Sequence, residues 1–285
     1  MADYAIIGCG YVGARLARRL EGRVRALVRS EDSAARLREA GLDAEARDLD
    51  ESNPGTPPFD ASGTTVFYLA PPPGTGTADP RLRAFLDSIT GQPSRFVYMS
   101  TTGVYGDAGG QAVDEDSPAA ARTDRGRARL DAESATRDWC MARGVPWVVL
   151  RVPGIYGPGR LPLERIRHGD PVLPEAEAGP GNRIHVDDLV SVCVAAATAP
   201  AARDRVYNVG DGNHASSTTY FNAVARLAGL PPPPALPREE ARRRLGPVAW
   251  SYLAESRRVD TTRMERELGV KIRYRDLEAG IRASL

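Results

Sequence analysis

A glycine pattern near the start of the chain constrains the fold more than any other feature. A short apolar run, residues 4–7, is followed by Gly8, Gly10 and Gly13 in the spacing G-x-G-x-x-G. Apolar residues then recur at helical intervals up to Leu20. The pattern therefore predicts a strand, a tight turn and the first turns of a helix.

Each glycine has its own role in such an arrangement. Gly8 lets the chain turn out of the strand, Gly10 leaves room for a pyrophosphate beside the backbone, and Gly13 allows the helix to pack closely on the strand. The free N–H groups and the positive end of the helix dipole then face the phosphates. Because the glycines follow a buried strand and open a helix, they predict a dinucleotide site that includes the backbone of Tyr11 and Val12. The alternative is an ordinary glycine-rich turn.

The composition is that of an ordinary globular chain. The 285 residues are 42% hydrophobic and 26% charged, with a formal net charge of +1, so the overall charge favours neither nucleic acid nor an anionic membrane as a partner. All but one of the 38 Lys and Arg residues are arginine, so a single arginine is weak evidence of function. No apolar run is long enough to span a bilayer, and the first strand begins too early to leave room for a signal peptide. We therefore expect a cytoplasmic protein.

The potential metal ligands are scattered. The three cysteines, Cys9, Cys140 and Cys193, lie far apart in the sequence. No group of His, Asp or Glu has the spacing of a metal site, so neither a disulfide nor a metal ion is expected.

Strands alternate with helices over the first part of the chain. The predicted strands include residues 23–29, 64–70, 95–101 and 145–152, and the predicted helices include 33–40, 81–90 and 124–142, with a loop at 54–58. This alternation predicts an α/β fold, a Rossmann-type doubly wound parallel sheet with a small C-terminal substrate lobe. We expect an NAD(P)-binding domain over residues 1–158 and the lobe over 159–285, with 184–212 returning to the Rossmann side.

The second strand ends at Arg29 and Ser30, about twenty residues after the glycines, where this fold meets the adenosine ribose. An acidic residue at that position favours NAD, whereas the forked donors of Arg29 suit the 2′-phosphate of NADP. We therefore expect NADP, and the nearby Glu31 and Asp32 keep NAD open. The other predicted cofactor contacts lie at later strand ends: Asp48 and Leu49 beside the adenine, and Leu69, Ala70 and Pro71 in a loop over the cofactor.

Five segments of the sequence run in the order typical of one family. They are residues 8–13, 99–106, 151–159, 184–188 and 207–210. Together they resemble the extended short-chain dehydrogenases/reductases, the NAD-dependent epimerase/dehydratase family. The spacing G-x-G-x-x-G departs from the usual G-x-x-G-x-x-G of that branch and is closer to its atypical members.

The resemblance also implies a quaternary structure. Helices 81–90 and 124–142 often pair two subunits in this family, which implies a possible homodimer. An apolar stripe on the first helix would serve such an interface: Leu82, Phe85, Leu86 and Ile89. The alternative is that the stripe packs on the sheet.

The family's chemistry uses a Ser/Thr, a Tyr and a Lys, the last two spaced Y-x-x-x-K on a helix. By motif, Thr101 takes the Ser/Thr position. Residues 125–133 align with the helix motif, which puts Arg125 at the tyrosine position and Arg129 at the lysine position. Arg129 retains the positive charge and the donors for the nicotinamide ribose. Arg125 does not retain the tyrosine's role, because a guanidinium stays protonated in proteins and moves no proton.

Tyr105 is the best substitute for the missing tyrosine by location. It follows the strand end that presents Thr101, so its hydroxyl is expected to reach the substrate. The alternative is that Tyr105 packs and hydrogen-bonds structurally. Asp124 and the acidic run 114–116 are carboxylate alternatives, although a helix cap and a solvated loop are the simpler interpretations.

Arg160 and Arg183 bracket the irregular part of the small lobe. Relatives that use nucleotide sugars hold the substrate pyrophosphate with arginines from that lobe, so the resemblance makes both residues candidate substrate ligands. His185, in the family segment 184–188, is expected to be structural.

These features predict an NAD(P)-binding, epimerase/dehydratase-like oxidoreductase that acts on a small molecule, with a sugar nucleotide as one candidate. Its active site would lack the family tyrosine. The alternative is a catalytically silent dinucleotide-binding protein that acts as a redox sensor or scaffold.

Overall fold

The computed structural model of the protein describes residues 2–50 and 58–285. The loop predicted at 54–58 therefore lies, except for Pro58, outside the described residues. The strands are β1 (Ala2–Ile7), β2 (Gly22–Val28), β3 (Asp43–Ala46), β4 (Phe59–Asp60), β5 (Thr65–Tyr68), β6 (Ile89–Thr90), β7 (Arg95–Thr101), β8 (Ala112–Val113), β9 (Trp147–Val152), β10 (Gly154–Tyr156), β11 (Arg183–His185), β12 (Arg205–Asn208) and β13 (Arg258–Val259). The helices are α1 (Tyr11–Ala17), α2 (Glu31–Glu39), α3 (Pro80–Ser88), α4 (Asp124–Arg143), α5 (Leu163–Arg167), α6 (Val186–Thr198), α7 (Ser217–Leu227), α8 (Arg238–Arg244), α9 (Pro247–Ala254), α10 (Thr262–Leu268) and α11 (Leu277–Arg282).

Seven strands form one parallel sheet in the order β12-β9-β7-β5-β1-β2-β3. The strands are rich in buried apolar residues because helices cover both faces of the sheet. One apolar layer joins the sheet to α1, α2, α6 and α10, and the other joins it to α3 and α4. The predicted Rossmann-type, doubly wound fold is thus confirmed.

The strand order reverses between β1 and β5. In an open α/β sheet, the crevice at such a switch point, outside the carboxyl ends of the strands, is where ligands bind. The glycine loop that follows β1 and the segment 69–71 that follows β5 both lie at this crevice.

The C-terminal half of the chain contributes to the main sheet as well as to a separate lobe. Strand β12 pairs in parallel with β9 and forms one edge of the sheet. The rest of the lobe includes the two-stranded sheets β10–β11 and β8–β13, and an apolar cluster shared by α5, α7 and α11.

The apolar stripe on α3 faces the sheet rather than a second subunit. Its four residues, Leu82, Phe85, Leu86 and Ile89, are 0–8% exposed and belong to the layer under α3 and α4. The helix also ends at Ser88, earlier than predicted, because Ile89 turns to an extended conformation and pairs with Phe59 in β4. The stripe therefore does not supply the dimer surface for which it was considered.

Candidate functional site

The glycine loop forms a tight turn between β1 and α1. Gly8 adopts φ +84°, a conformation that L side chains rarely adopt, and a Cβ there would lie 2.6 Å from the backbone nitrogen of Ala70. The N–H groups of Gly8 and Cys9 both donate to the carbonyl of Leu27, at 2.9 and 3.0 Å. Gly8 therefore makes the turn and allows the segment after β5 to approach.

The other two glycines have opposite surroundings. A Cβ on Gly13 would lie 3.0 Å from Cγ2 of Ile6 and 3.3 Å from Sγ of Cys9, so this glycine lets α1 pack on β1. Among the described residues, the atom nearest to a Cβ on Gly10 would be the Gly8 carbonyl oxygen, at 4.0 Å. Within the described residues, the loop is therefore crowded at Gly8 and Gly13 and open beside Gly10. It lies at the first turn of α1, whose N-cap residue, Gly10, has no side chain.

Charged residues gather where β2 and β3 end. Nε of Arg29 lies 3.0 Å from Oδ2 of Asp48, and its NH2 lies 3.5 Å from Asp50. Asp50 also pairs with Arg81, which donates to the carbonyl of Pro71 at 3.1 Å. The backbone N–H of Asp50, followed by Arg29, lowers the pKa of Asp48.

This cluster brings the predicted adenosine contacts together with the segment after β5. Arg29 remains 71% exposed, and Leu49 is half-buried. The hydroxyl of Ser30 caps α2 by accepting from the N–H of Ser33 at 3.4 Å.

The predicted reaction centre lies at the end of β7. Thr101 is half-buried, and its Oγ1 accepts from the N–H of Gly103 at 3.1 Å. Arg129 donates to the carbonyl of Met99 at 2.6 Å and to the hydroxyl of Tyr98 at 3.3 Å. Arg125 is exposed on the first turn of α4.

The start of α4 is held against β7 by a glycine. A Cβ on Gly126 would lie 3.1 Å from the carbonyl oxygen of Gly103. The helix cap is Thr123, whose hydroxyl accepts from the N–H of Gly126 at 3.1 Å, rather than Asp124 as predicted. The two family positions on α4 are therefore placed next to the end of β7 by backbone packing.

Tyr105 does not face the substrate side, which corrects the prediction for this residue. Its ring is 3% exposed, and its hydroxyl donates to Oδ1 of Asn208 at 2.7 Å and accepts from Arg151 at 2.9 Å. Burial raises the pKa of Tyr105 despite the neighbouring Arg151. A buried phenol with both partners in the protein serves the fold, so the structural alternative describes Tyr105.

Tyr105 belongs to a buried polar network that the sequence analysis missed. Arg151 forms an ion pair with Glu133 at 2.8 Å, with both side chains 8% exposed, and Ser100 donates to Glu133. The sequence feature that could have indicated this network is the charge of Arg151 within the apolar strand β9, since a buried charge requires a partner.

The two arginines of the small lobe lie in different surroundings. Arg183 is 7% exposed, and it donates to the backbone carbonyls of Ala215 at 2.7 Å and Ser216 at 3.3 Å. Burial lowers its pKa. The prediction that Arg183 is a substrate ligand is therefore not supported, because its donors hold the start of α7. Arg160 is exposed and lies over the ring of Tyr11, 4.5 Å from the ring centroid.

His185 has the structural role expected of it. Its Nδ1 accepts from the N–H of Asp187 at 3.2 Å and caps α6. Its ring lies 4.1 Å from the ring of Tyr274, between centroids. Burial lowers the pKa of His185.

Burial raises the pKa of Cys9 in the glycine loop to about 11, so its side chain is a thiol at neutral pH. Among the residues that the structure describes, no group of three or more His, Cys, Asp or Glu side chains is placed to hold a metal ion. Within the same residues, no helix combines the length and apolar character needed to cross a membrane.

The parallel sheet, the glycine loop at its switch point and the strand end at Thr101 define a Rossmann-type protein of the extended short-chain dehydrogenase/reductase class. The model of the NAD dependent epimerase/dehydratase family matches residues 5–210. The chain belongs to that family.

The similar proteins differ in how much they say about function. Protein YeeZ of Escherichia coli (strain K12) is 29% identical over 245 residues, which is 82% of this chain and 86% of YeeZ. A 3-diazoavenalumate denitrifying reductase of Streptomyces sp is 33% identical over 165 residues, 56% of this chain and 52% of the reductase.

Two solved structures share the whole fold. A functionally unknown conserved protein from Silicibacter pomeroyi DSS has a TM-score of 0.83 at 31% identity, over 99% of this chain and 98% of the other. UDP-glucuronic acid 4-epimerase from Bacillus cereus, solved in complex with NAD, has a TM-score of 0.75 at 16% identity, over 99% and 97% of the two chains. At that identity, the second comparison shows the fold alone.

Proposed function

We propose that the protein is a nicotinamide dinucleotide-dependent oxidoreductase that acts on a small molecule. The observation that carries this proposal is the glycine loop, which is crowded at Gly8 and Gly13 and open at Gly10. Space beside Gly10, at the start of α1, suits a pyrophosphate that approaches the backbone. The bound nicotinamide would supply or accept a hydride.

The residues present fit each part of such a cofactor. The proposed pyrophosphate contacts are Gly8, Gly10, Tyr11, Val12 and Gly13. Those at the adenosine end are Arg29, Ser30, Asp48 and Leu49, and those near the nicotinamide end are Leu69, Ala70, Pro71 and Arg129. The epimerase of the same fold that was solved with NAD supports this assignment.

We propose NADP as the preferred cofactor because of Arg29. Arg29 is 71% exposed in its ion pair with Asp48, and ion pairs at the surface contribute little to stability. Arg29 can therefore exchange Asp48 for a 2′-phosphate, which its guanidinium binds with two donors.

The cofactor preference is tested by Arg29→Asp, which should weaken NADPH binding more than NADH binding in a calorimetric titration. A matched control is Arg23→Asp, because Arg23 is 70% exposed on β2, the strand that leads to Arg29, and pairs with Asp43. Equal losses for both dinucleotides would count against the preference for NADP.

The side chains around the end of β7 favour a reaction that draws no proton from a phenol. Thr101 can orient a substrate oxygen, while Arg125 and Arg129 can stabilise negative charge but keep their protons. Any proton that the product requires would then come from water. A hydride transfer to an electrophilic carbon meets this condition, and the Streptomyces relative named as a reductase supports it.

We also propose a class of natural substrate. A sugar nucleotide is one candidate, because the Bacillus cereus relative is a UDP-glucuronic acid 4-epimerase. Epimerisation at a hydroxyl-bearing carbon needs a general base, however, and Tyr105 is held by Asn208 and Arg151. A carbonyl or comparably electrophilic small molecule therefore fits the site better.

The second candidate is a dinucleotide-binding sensor or scaffold without turnover. It is favoured by Arg125 at the family tyrosine position together with the buried state of Tyr105. The two functions separate in one experiment: NADPH and NADH are titrated by calorimetry, and hydride exchange is then followed with carbonyl compounds and sugar nucleotides. Exchange with a carbonyl compound would support the oxidoreductase. Tight binding with no exchange across both substrate classes would support the sensor instead.

A further inference from the structure

Two arginines converge on the aromatic ring of Tyr11, the first residue of α1. The guanidinium carbon of Arg15 lies 4.0 Å from the ring centroid, and that of Arg160 lies 4.5 Å from it. Arg15 belongs to α1, whereas Arg160 comes from the loop after β10, at the start of the small lobe. The ring thus joins the glycine loop to a distant part of the chain.

The loop that carries Arg160 is held firmly in this position. The hydroxyl of Tyr11 donates to the carbonyl of Pro158 at 3.0 Å, and the N–H of Arg160 donates to the carbonyl of Gly157 at 2.9 Å. A Cβ on Gly157 would lie 2.6 Å from the Tyr11 hydroxyl. The backbone that carries Arg160 is therefore held beside the glycine loop.

Neither guanidinium is neutralised within the described part of the chain. Neither Arg15 nor Arg160 forms an ion pair with a carboxylate there, whereas Arg29 and Arg81 each form one. Asp187 is the acidic residue whose charge acts on Tyr11, against the two arginines. Two arginines and one aspartate leave a net positive charge around this ring, which favours an anion nearby.

We propose that Arg160, positioned over the ring of Tyr11, binds the pyrophosphate of the dinucleotide. This inference rests on the proposed function, since it names a ligand of the same cofactor. It reassigns Arg160 from the substrate to the cofactor and makes the small lobe contribute to dinucleotide binding. A guanidinium is suited to phosphate oxygens because of its parallel N–H donors.

The test is a calorimetric titration of Arg160→Ala with NADPH and with ADP-ribose. ADP-ribose has the pyrophosphate but lacks both the nicotinamide and the 2′-phosphate. We expect the dissociation constants for both ligands to rise by about tenfold, as for the loss of one charge-assisted contact. Arg160→Lys should lose less, because it keeps the charge without the fork.

The matched control is Arg165→Ala. Arg165 is another arginine of the small lobe, paired with Asp170 and stacked on the ring of Phe221 at 4.9 Å, so its loss should leave both constants unchanged. Unaltered ADP-ribose binding by Arg160→Ala would overturn the assignment of Arg160 alone. Failure of the wild-type chain to bind either ligand would overturn the proposed function, and this assignment with it.

Discussion

At the scale of single residues, burial decides which side chains are available for chemistry. Glu133 and Arg151 form an ion pair from which water is almost excluded, and Ser100 and Tyr105 bond to the two ends of the pair. Removing one partner of a buried pair leaves an uncompensated charge, at a cost of about 3–5 kcal/mol. Tyr105 therefore contributes to the stability of the sheet.

Tyr105→Phe should lower the free energy of unfolding by about 1–3 kcal/mol, because Arg151 and Asn208 would lose their shared partner. It should leave NADPH binding unchanged. Tyr68→Phe is the matched control, since the hydroxyl of Tyr68 is buried and has no hydrogen-bond partner among the described residues, and its removal should be neutral or stabilising. Denaturant unfolding measures the change in stability, and calorimetry measures NADPH binding. A larger loss of stability in Tyr68→Phe than in Tyr105→Phe would contradict the account.

Asp211 gives the stability a pH dependence. It is 1% exposed, and burial raises its pKa to about 7, with Arg183 opposing and Asp188 adding to the shift. Because the folded state holds this proton up to a higher pH than the unfolded chain does, the contribution of Asp211 to stability falls as the pH rises from about 4 to about 7 and is then constant.

Asp211→Asn should remove that dependence, since an amide keeps the acceptor for the N–H of Asn213 without an ionisable proton. Relative to wild type, the variant should gain about 2–3 kcal/mol of unfolding free energy between pH 5 and pH 8. Urea unfolding at the two pH values measures this difference. A difference between variant and wild type that is the same at both values would contradict the assignment.

The sequence could place Thr101 at the end of β7, and Arg125 and Arg129 next to it on α4, because the strand and the helix motif fix their positions. It could not show the direction of the Tyr105 ring, since a residue in a short turn after a strand has no periodic pattern to orient it. Nor could the sequence show that Arg183 is buried. Its burial depends on the start of α7, far along the chain.

At the scale of elements, the β1–loop–α1 unit follows directly from its residue types. Gly8, Gly10 and Gly13 have the turn, opening and close packing that their spacing indicates. The end of α3 was less predictable, because the apolar stripe continues through Ile89 while the backbone leaves the helix at Ser88. A two-residue pairing with β4 decides that boundary.

Gly10→Ala should separate folding from binding. Among the described residues a Cβ at Gly10 meets open space, and its φ of −92° lies outside the left-handed region, so we expect a stability change of less than about 1 kcal/mol. NADPH affinity should fall by tenfold or more, on the order of one lost close backbone contact.

Substitutions at two other glycines serve as comparisons for Gly10→Ala. Gly74→Ala should change neither stability nor binding, because no atom of the described residues lies within 4 Å of a Cβ built there. Gly8→Ala should destabilise the fold by about 1–3 kcal/mol, since its positive φ suits glycine. Normal NADPH binding by Gly10→Ala would argue against a pyrophosphate at this loop.

At the scale of the whole molecule, the sequence indicated the layered sheet but not how the small lobe is attached. The attachment uses a two-residue strand pairing and a side-chain bond: β13 of the lobe pairs with β8, and the N–H of Ser256 donates to Oδ1 of Asp107 at 2.9 Å. Such short pairings carry no periodicity and involve residues far apart in the chain. The proposed binding of the pyrophosphate by Arg160 would give this attachment a functional consequence.

The central claim is that the glycine loop holds a nicotinamide dinucleotide. Calorimetric titration of the wild-type chain with NADPH tests it most directly, with Gly10→Ala and Gly74→Ala as the paired variants. The account predicts saturable binding of one NADPH per chain, weakened in Gly10→Ala and unchanged in Gly74→Ala. Absence of binding of NADPH and NADH to the folded wild-type protein would contradict it.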